Sequence, residues 1–344
     1  MGSQKITIYD IAREAGVSIT TVSRALANSG KVKQETYSRI MRIVQKYHFQ
    51  PNEAARILAE SKTKIIGVMV SQIENPFYAH MFIWCERIAE MYGYSTILAN
   101  SMGNLAYEHK LLDKLAAQQV AAVIQFGGNV DACVSDAEYV AKVTKLMRHT
   151  PFVVSGKLDG VRCCRVQIND STGIRLAVTH LAQLGHRRIA LIGGSEREVP
   201  AYQKAVEFRR LIDVYGLCRD EDFICIPGSS SDAAGYECME RLIAKGKMPS
   251  AIISINDFVA AGVMQSLSAH GFSVPEDVSI ISFDDTFISR MLGRGLTTVS
   301  YDYELVCSAL IAMAVSEIEK RTQESFRLVE PFLICRSSTR PPKN

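Results

Sequence analysis

The sequence of 344 residues predicts an α/β protein with an N-terminal three-helix helix-turn-helix head and a two-lobed body of doubly wound parallel sheets. Two observations indicate this architecture: residues 7–28 repeat apolar side chains at helical spacing, and from residue 65 onward short apolar runs alternate with helix-like stretches. The body, at roughly 280 residues, is longer than one open sheet usually organises, so we expect two lobes. A ligand cleft is expected where the strands reach their carboxyl ends.

The first predicted helix follows Thr7, whose hydroxyl is placed to cap it, with Asp10 three residues later. Its buried face carries apolar residues at i, i+3, i+4 and i+7, namely Ile8, Ile11, Ala12 and Ala15. Gly16 ends this helix, and Ser18 caps a second one. The pattern predicts a helix-turn-helix whose second helix can enter a DNA major groove. A helical subdomain without a ligand is the alternative.

A third helix is predicted over residues 36–48, with Ile40, Ile43, Val44 and Tyr47 on one stripe. Residues 1–64 have a net charge of +6 and residues 65–344 a net charge of −3. A basic head on a mildly acidic body is expected where only the head meets DNA phosphates. We therefore predict a DNA-binding domain at 1–50, a linker at 51–64 and a ligand-binding and dimerisation body at 65–344.

The body divides into two series of alternating elements. Strands are predicted at 65–70, 95–99, 121–126 and 151–154, and then at 189–194, 223–226, 251–255 and 279–283. Helices are predicted at 76–92, 105–119, 171–184, 201–215, 232–246 and 257–270.

The segment TIYDIAREAGVSITTVSRAL, followed by PNEAARILAESKTKIIGVMV, resembles the LacI/GalR family of bacterial transcription regulators. Further similar blocks are NPFYAHM at 75–81, HLAQLGHRRIALIGG at 180–194, INDFVAAGVM at 255–264, VPEDVSIISFDD at 274–285, LTTVSYD at 296–302 and RSST at 336–339. The resemblance covers essentially the whole chain. It implies a homodimer that binds double-stranded operator DNA, as the repressor of a carbohydrate-use operon, under control of a small effector.

By position in the motif, the resemblance implies base contacts from Ile19, Thr20 and Arg24 and phosphate contacts from Tyr9, Ser18, Thr21 and Ser23. Arg24 has the clearest chemistry, because a guanidinium bonds guanine O6 and N7 together. A phosphate contact without base specificity is the alternative for Arg24.

Residues 52–59 resemble the hinge helix of the family, in which Leu58 stands where a leucine wedges between base pairs of the minor groove. Arg56 and Lys62 would lie near phosphates. Alternatively, Leu58 packs against the body. A segment that folds only on binding DNA can couple DNA affinity to a signal.

Polar residues collect where the predicted strands end, and the resemblance implies effector contacts from Asn75, Phe77, Lys204, Asn256 and Asp284. Asp257 and Asp285 are interpreted as helix caps or turn residues. Three positions depart from the family pattern: Lys204 replaces an arginine, Glu207 a glycine, and Gly156 an aspartate of some sugar-binding members. A lysine does not have the planar fork of an arginine. We expect a sugar or sugar phosphate, and a purine-responsive regulator stays open.

Other classes of protein are disfavoured. No nucleophile-elbow, zinc-protease, P-loop or dinucleotide-binding motif occurs, so we expect no catalytic residue, metal or cofactor. A soluble ligand-binding receptor of the periplasmic type shares the predicted two-lobed, periplasmic-binding-protein-like body but needs an export signal, and the N-terminus is polar and basic. No apolar run of 18 residues predicts a membrane span, which favours a cytoplasmic location.

Nine cysteines, an odd number without a C-x-x-C pair, predict free thiols in a reducing compartment. The adjacent Cys163 and Cys164 have no positive support as a redox sensor. The helix at 76–92 has more apolar residues than one buried stripe needs, so we predict it as part of the dimer surface, through Met81, Phe82, Trp84, Cys85 and Ile88.

Overall fold

The structure, a computed structural model, describes residues 6–26, 32–47, 49, 63–321 and 324–343. The chain divides between Thr63 and Lys64 into two compact units, a head and a body. The head consists of helices α1 (Ile8–Ala15), α2 (Ile19–Leu26) and α3 (Gln34–Lys46).

The head follows the predicted helix-turn-helix. The Thr7 amide and hydroxyl both donate to Asp10 Oδ2, at 3.0 and 2.6 Å, and close a capping box. Gly16 ends α1 with a φ of 64°, a left-handed conformation that glycine adopts without strain.

The apolar stripe of α3 differs in one residue from the prediction. Ile40 and Ile43 are buried as predicted, but Tyr47 is 38% exposed. Because α3 ends at Lys46, Tyr47 is the cap residue and turns away from the core. Tyr37, on the preceding turns, packs against the core.

The body contains two six-stranded sheets, one in each lobe. The sheet of the first lobe has the order β11-β5-β4-β3-β1-β2, and all of its strand pairs are parallel. Its strands are β1 (Ile65–Val70), β2 (Ser95–Asn100), β3 (Ala122–Phe126), β4 (Phe152–Val154), β5 (Cys164–Ile168) and β11 (Phe326–Val329).

The sheet of the second lobe has the order β12-β10-β9-β8-β6-β7, with only the β10–β12 pair antiparallel among the pairs described. Its strands are β6 (Ile189–Ile192), β7 (Ile224–Cys225), β8 (Ala251–Ser254), β9 (Ser279–Phe283), β10 (Thr297–Ser300) and β12 (Phe332–Ile334). Strand β6 ends two residues before the predicted 194, because Gly193 and Gly194 have φ values of 104° and 89°, outside the range of a strand.

Helices cover both sheets, as parallel strands require. They are α4 (Pro76–Met91), α5 (Leu105–Ala117), α6 (Ala137–Leu146), α7 (Asp170–Gln183), α8 (Val199–Tyr215), α9 (Asp232–Ala244), α10 (Asp257–Ala269), α11 (Phe287–Met291) and α12 (Tyr303–Ile318).

The chain passes between the lobes three times. It leaves the first lobe after β5, returns after β10 to form α12 and β11, and crosses again to form β12 in the second sheet. The α12 helix is buried along most of its length, in the core of the first lobe. The alternation of the two predicted series did not indicate this exchange, because α12 and β11 follow the second series in sequence.

Much of the apolar excess of α4 lies in the core of the body and not on the predicted dimer surface. Met81, Cys85 and Ile88 are buried in the core of their own lobe, where α4 packs against α12. Phe82 and Trp84 are partly buried against the same core. Met81, Cys85 and Ile88 are therefore not available to a dimer surface, whereas the place of the half-buried Phe82 and Trp84 in such a surface stays a prediction.

Candidate DNA interface and effector cleft

The second helix of the head presents the residue types predicted to read DNA. Ile19 is 40% exposed, Thr20 and Arg24 are exposed, and Val22 and Ala25 are buried beneath them. An amphipathic helix of two turns therefore directs its polar face outward while its apolar face holds it on the head. The contacts of these residues with bases stay predictions.

The start of α2 is fixed by a local hydrogen-bond pair. Ser18 Oγ accepts from the Thr21 amide at 3.2 Å, and the two hydroxyls lie 2.9 Å apart. Ser18 therefore acts as the predicted cap, which leaves less of its hydrogen-bonding capacity for a phosphate. Tyr9 on α1 is 63% exposed. Ser23 and Thr21 are half-buried, so they are less open to a phosphate than Tyr9.

The head also has exposed basic side chains that the sequence analysis did not name. Lys33, Arg39 and Arg42 on and beside α3 are exposed. The positive charge of the head was the only signal for them. The hinge residues Arg56, Leu58 and Lys62 lie outside the described residues.

A cavity of about 650 Å³ lies between the lobes of the body. All five predicted effector residues line it: Asn75, Phe77, Lys204, Asn256 and Asp284. The carboxyl ends of parallel strands meet at this edge of each sheet, which is why residues far apart in sequence collect here. A cavity of this size accommodates a small organic ligand.

Asp284 and Phe77, which lie on opposite lobes, are connected through a tyrosine that the sequence analysis missed. The Tyr301 hydroxyl donates to Asp284 Oδ1, and the Phe77 ring meets the Tyr301 ring edge-on at 6.0 Å. Tyr303 donates to the Asp284 carbonyl at 2.6 Å. Tyr301 follows β10, at a crossing between the lobes, and only its place in the LTTVSYD block could have indicated it.

Asp284 has a raised side-chain pKa and an uncommon backbone conformation. Burial, reinforced by the charge of Asp257, raises its pKa to about 7. Its backbone has a φ of 92°, a conformation that side-chain-bearing residues rarely adopt. A strained backbone that carries a poorly solvated carboxyl into a cavity is typical of a binding site.

The two asparagines that line the cleft also cap helices. Asn75 Oδ1 accepts from the Phe77 amide at 3.1 Å and caps α4, and Asn256 Oδ1 accepts from the Val259 amide at 2.7 Å and caps α10. Asn256 Nδ2 donates to the Ser230 carbonyl at 3.2 Å. Both side chains thus hold the cleft walls and also line the cavity.

Lys204 occupies the position of the family arginine but its charge is already engaged. Its ammonium is ion-paired with Asp170 and lies 4.9 Å from the centre of the Phe283 ring. Lys204 is buried, so this pair is poorly screened by water. The neighbouring departure, Glu207, is ion-paired with Arg210 at 2.7 Å.

A carboxylate from a neighbouring loop lies beside Gly156. A side-chain carbon at Gly156 would lie 2.1 Å from the Val130 carbonyl oxygen and 2.4 Å from Asp131 Oδ1. Asp131 lines the cleft and was missed by the sequence analysis. Burial, together with the charge of Glu198 on the other lobe, raises its pKa to about 7.

The same loops join the lobes across the mouth of the cleft. The Val199 amide donates to the Asp131 carbonyl at 2.7 Å, and the Cys133 amide donates to the Arg197 carbonyl at 2.8 Å, around a β-bridge between Ala132 and Glu198. We call this pairing of residues 131–133 with 197–199 the latch. Because the latch joins residues of both lobes, the two lobes are closed on each other in this structure.

Asp257 and Asp285 have structural partners, although neither is itself the cap of a helix. Asp257 is buried and accepts from the Ser282 hydroxyl at 2.5 Å and the Thr286 amide at 2.6 Å. Asp285 is ion-paired with Arg336 at 2.7 Å. Both therefore fix the turn that carries Asp284.

Among the described residues no cluster of histidine, cysteine and acidic side chains has the geometry of a metal site. In the same part of the chain no helix is long and apolar enough to cross a membrane.

An exposed recognition helix on a basic head, together with a closed two-lobed cleft, defines a DNA-binding regulator with an effector-binding body. Residues 7–52 match the bacterial regulatory proteins of the lacI family, and residues 178–339 match a periplasmic binding protein-like domain. The chain is 32% identical over 338 residues to catabolite control protein A of Priestia megaterium, with 97% of this chain and 99% of that protein covered. It is 28% identical over 340 residues to the HTH-type transcriptional repressor PurR of Histophilus somni, at 97% and 99% coverage.

Among solved structures, a Lac repressor dimer bound to operator and the anti-inducer ONPF matches with a TM-score of 0.85 at 23% identity, covering 98% of this chain and all of that one. The complex of the transcriptional regulator CelR with cellobiose matches with a TM-score of 0.70 at 25% identity, covering 97% of this chain and all of that one. The chain therefore belongs to the LacI family of bacterial transcriptional regulators. The similar proteins with assigned roles are regulators and not enzymes.

Proposed function

We propose that the chain is a dimeric, cytoplasmic repressor of a carbohydrate-use operon. Whether it binds or releases its operator depends on a sugar bound in the cleft. The single observation that carries this proposal is the cavity in which Asp284 and Asn256 of one lobe face Phe77 of the other. The CelR–cellobiose complex and a LacI-family regulator with bound ribose show that similar bodies hold sugars. Similarity to a catabolite control protein supports control of carbohydrate genes.

The charges of the cleft favour a neutral sugar over a sugar phosphate. Its described walls carry six carboxyl groups and two ammonium groups: Glu74, Asp131, Asp170, Glu198, Asp232 and Asp284 against Lys157 and Lys204. Lys204 is paired with Asp170, and Lys157 is paired with Asp159 at 2.6 Å. A phosphate would add negative charge where no unpaired cation of the described walls is ready to receive it, whereas hydroxyl groups can donate to the carboxylates.

A thermal-shift screen of neutral sugars, sugar phosphates and purine bases tests the effector class. A ligand present at 100 times its Kd stabilises the protein by about 2.7 kcal/mol, which is readily measured. We expect a neutral sugar to raise the Tm and sugar phosphates to have no effect. If only a purine base raised the Tm, the effector would be a purine and the proposal of a sugar effector would be wrong.

The same assay tests the predicted role of Asp284. Asp284→Ala should abolish the shift caused by the sugar that the screen selects, because the carboxyl faces the ligand, while binding of operator DNA without sugar persists. Glu276→Ala, which removes an exposed carboxyl outside the cleft, is the control and should respond like the wild type. An Asp284→Ala protein with an unchanged shift would place the effector site elsewhere.

The DNA contacts are tested by selecting operator sequences from random duplexes and measuring affinity for the selected palindrome and for unrelated DNA. Arg24→Ala should weaken binding to the palindrome by about 1 to 3 kcal/mol and spare unrelated DNA, as expected for a bidentate contact with guanine. Arg219→Ala, which removes an exposed arginine of the body, should leave both affinities unchanged. Equal losses on both DNAs would reduce Arg24 to a phosphate contact.

A further inference from the structure

Two cysteines that are thirteen positions apart in sequence meet around one guanidinium in the second lobe. Arg241 Nη2 lies 3.1 Å from Cys225 Sγ and 3.2 Å from Cys238 Sγ. Cys238 Sγ also lies 3.7 Å from the Cys225 carbonyl oxygen. Cys225 ends the edge strand β7, and Cys238 and Arg241 occupy successive turns of α9.

We propose that Cys225 and Cys238 form a peroxide-reactive dithiol, in which Cys225 is the attacking thiolate, Cys238 the resolving thiol, and Arg241 the positioning cation. Redox-sensing cysteines combine a stabilised thiolate, access to solvent and a neighbouring resolving cysteine, and this cluster has all three features. The spacing of the two cysteines gave no sign of it, because only the fold brings β7 beside α9.

The division of roles follows from the surroundings of the two sulfurs. A hydrogen bond from Cys238 and the nearby Arg241 charge lower the pKa of Cys225 to about 7 against the effect of burial. The pKa of Cys238 is raised, first by that hydrogen bond to Cys225 and then by burial. Cys225 is partly exposed, whereas Cys238 is fully buried.

A small oxidant can reach Cys225 because this residue is partly exposed, and a hollow lies beside Arg241, which contacts both sulfurs. A hollow of about 450 Å³ is lined there by Pro227, Tyr236, Glu237, Glu240 and Arg241 itself. Arg241 is exposed toward solvent while its Nη2 reaches inward to the sulfurs. A small neutral oxidant such as hydrogen peroxide is not repelled by the two glutamates.

The chemistry takes two steps and needs only hydrogen peroxide. The Cys225 thiolate attacks one peroxide oxygen, so that an S–O bond forms, the O–O bond breaks, and hydroxide leaves and is protonated to water. The Cys238 sulfur then attacks the Cys225 sulfenic acid, so that the S–S bond forms and the S–O bond breaks, and the leaving hydroxide takes the Cys238 proton as water. The two thiols lose two electrons in total, which reduce one peroxide to two waters.

Oxidation at this place would act on a wall of the effector cleft. The loop between the two cysteines includes Gly228, Ser229, Ser230 and Ser231, which line the cleft, and Ser230 accepts the Asn256 hydrogen bond. A disulfide would tie β7 to α9 and remove the thiolate that Arg241 contacts. We therefore expect the loop at 226–231 to change its dynamics on oxidation.

The chain supplies a built-in comparison. Cys85 and Cys307 also form a contacting pair, but both are fully buried in the first lobe, and the hydrogen bond that Cys85 donates to Cys307, with burial, raises the pKa of Cys85. This pair should stay reduced at peroxide concentrations that oxidise the other. The adjacent Cys163 and Cys164 should also stay reduced, because burial raises the pKa of Cys163.

The test treats the reduced full-length protein with one equivalent of hydrogen peroxide, blocks remaining thiols and maps disulfides by peptide mass spectrometry. We expect one linked peptide pair, Cys225 with Cys238, which dithiothreitol reverses. Cys238→Ser should instead accumulate a sulfenic acid at Cys225 that dimedone traps, and Cys225→Ser should form neither product. Cys307→Ser is the matched control and should oxidise like the wild type.

The rate of oxidation tests Arg241. Because the Cys238 hydrogen bond contributes more than Arg241 to the lowered pKa of Cys225, Arg241→Gln should raise that pKa only part of the way to the ordinary value of 9. A full return to 9 would reduce the thiolate fraction at pH 7 about 50-fold and increase the nucleophilicity about 8-fold, so we expect the rate to fall by less than about sixfold. Hydrogen exchange of residues 226–231 should differ between the reduced and oxidised wild type. An unlinked Cys225, prior oxidation of the exposed Cys218 or Cys335, or an Arg241→Gln rate equal to that of the wild type would overturn the proposal.

Discussion

The loop that carries Asp131 to the cleft is held from behind by one buried carboxyl group, and removing that group is the sharpest test of the fold around the site. Glu108 on α5 is 1% exposed. Its Oε2 accepts from the Asn129 amide at 3.1 Å, from Asn129 Nδ2 at 2.9 Å and from Gln125 Nε2 at 2.9 Å, and its Oε1 accepts from the Ser101 hydroxyl at 3.2 Å.

The stability lost in Glu108→Ala depends on which of these hydrogen-bond donors still have another acceptor. Gln125 Nε2 still donates to the Gly127 carbonyl and the Ser101 hydroxyl to the Ser71 carbonyl. The Asn129 backbone amide loses the acceptor that the structure gives it, which costs about 1 to 3 kcal/mol for a buried donor. Loss of the other hydrogen bonds to the carboxylate increases this cost, whereas removal of a buried carboxyl group offsets part of it. We therefore expect Glu108→Ala to lower the free energy of unfolding by about 3 kcal/mol.

Thermal and denaturant unfolding of the full chain measure this loss. For a body of this size, about 3 kcal/mol lowers the Tm by about 6 to 12 °C. Glu108→Gln should retain most of the stability, because its amide oxygen can accept from Asn129 while its NH₂ donates to Ser101. Glu90→Ala, an exposed change on α4, should stay within about 0.5 kcal/mol of the wild type.

The pH dependence separates the charge of Glu108 from its shape. Burial raises the pKa of Glu108 in the folded protein, so the wild type holds this proton more tightly than the unfolded chain does. Its contribution to stability is therefore full below the unfolded pKa and is lost as the pH rises through the folded pKa. Glu108→Gln should lack that decline. A Glu108→Ala Tm equal to that of the wild type, or a Glu108→Gln protein as unstable as Glu108→Ala, would refute the reasoning.

Two further changes test the hinge and the latch. Leu58→Ala, at a position outside the described residues, should reduce operator bending in a gel-phasing assay and leave the Tm of the free protein unchanged, because a wedge acts only in the complex; a lower Tm would favour the packing alternative. Val199→Pro removes the latch amide at the first position of α8, where proline is tolerated, and should weaken binding of the sugar that the screen selects by about fivefold, since one net hydrogen bond contributes about 1 kcal/mol. Unchanged affinity would show that ligand binding does not depend on the latch.

Local patterns predicted the elements well because their signals are local. Thr7, Asp10 and Gly16 set the ends of α1 by hydrogen bonding and backbone conformation that need no distant partner. The alternation of apolar runs likewise indicated strands of both lobes. Tyr47 was misplaced because a helical stripe does not tell where the helix ends.

Long-range packing was beyond these signals. The sequence does not show that α12 and β11 return to the first lobe. For this reason Met81, Cys85 and Ile88 of α4 were assigned to a dimer surface, although they are buried in the core that α12 completes. For the same reason Gly156 indicated a missing carboxylate, although the fold brings the Asp131 carboxylate beside this glycine. The five effector residues came from resemblance, whereas Asp131, Tyr301 and the Cys225–Cys238 pair needed the fold.

The walls of the cleft are braced separately from the contact between them, and this difference indicates how a ligand can switch the protein. Glu108 fixes the loop that carries Asp131, and Asp257 fixes the turn that carries Asp284, each through buried hydrogen bonds within its own lobe. The latch has two backbone hydrogen bonds between its strands, which at about 1 kcal/mol each contribute about 2 kcal/mol, or about a 30-fold bias toward closure. Moving an equilibrium from 1:99 to 99:1 needs about 5.5 kcal/mol, so the latch alone is too weak. For a shift of that size, a ligand that contacts both lobes at once would supply the remainder. We expect a ligand held only by the predicted contacts Asp284 and Asn256 to bind without switching the protein.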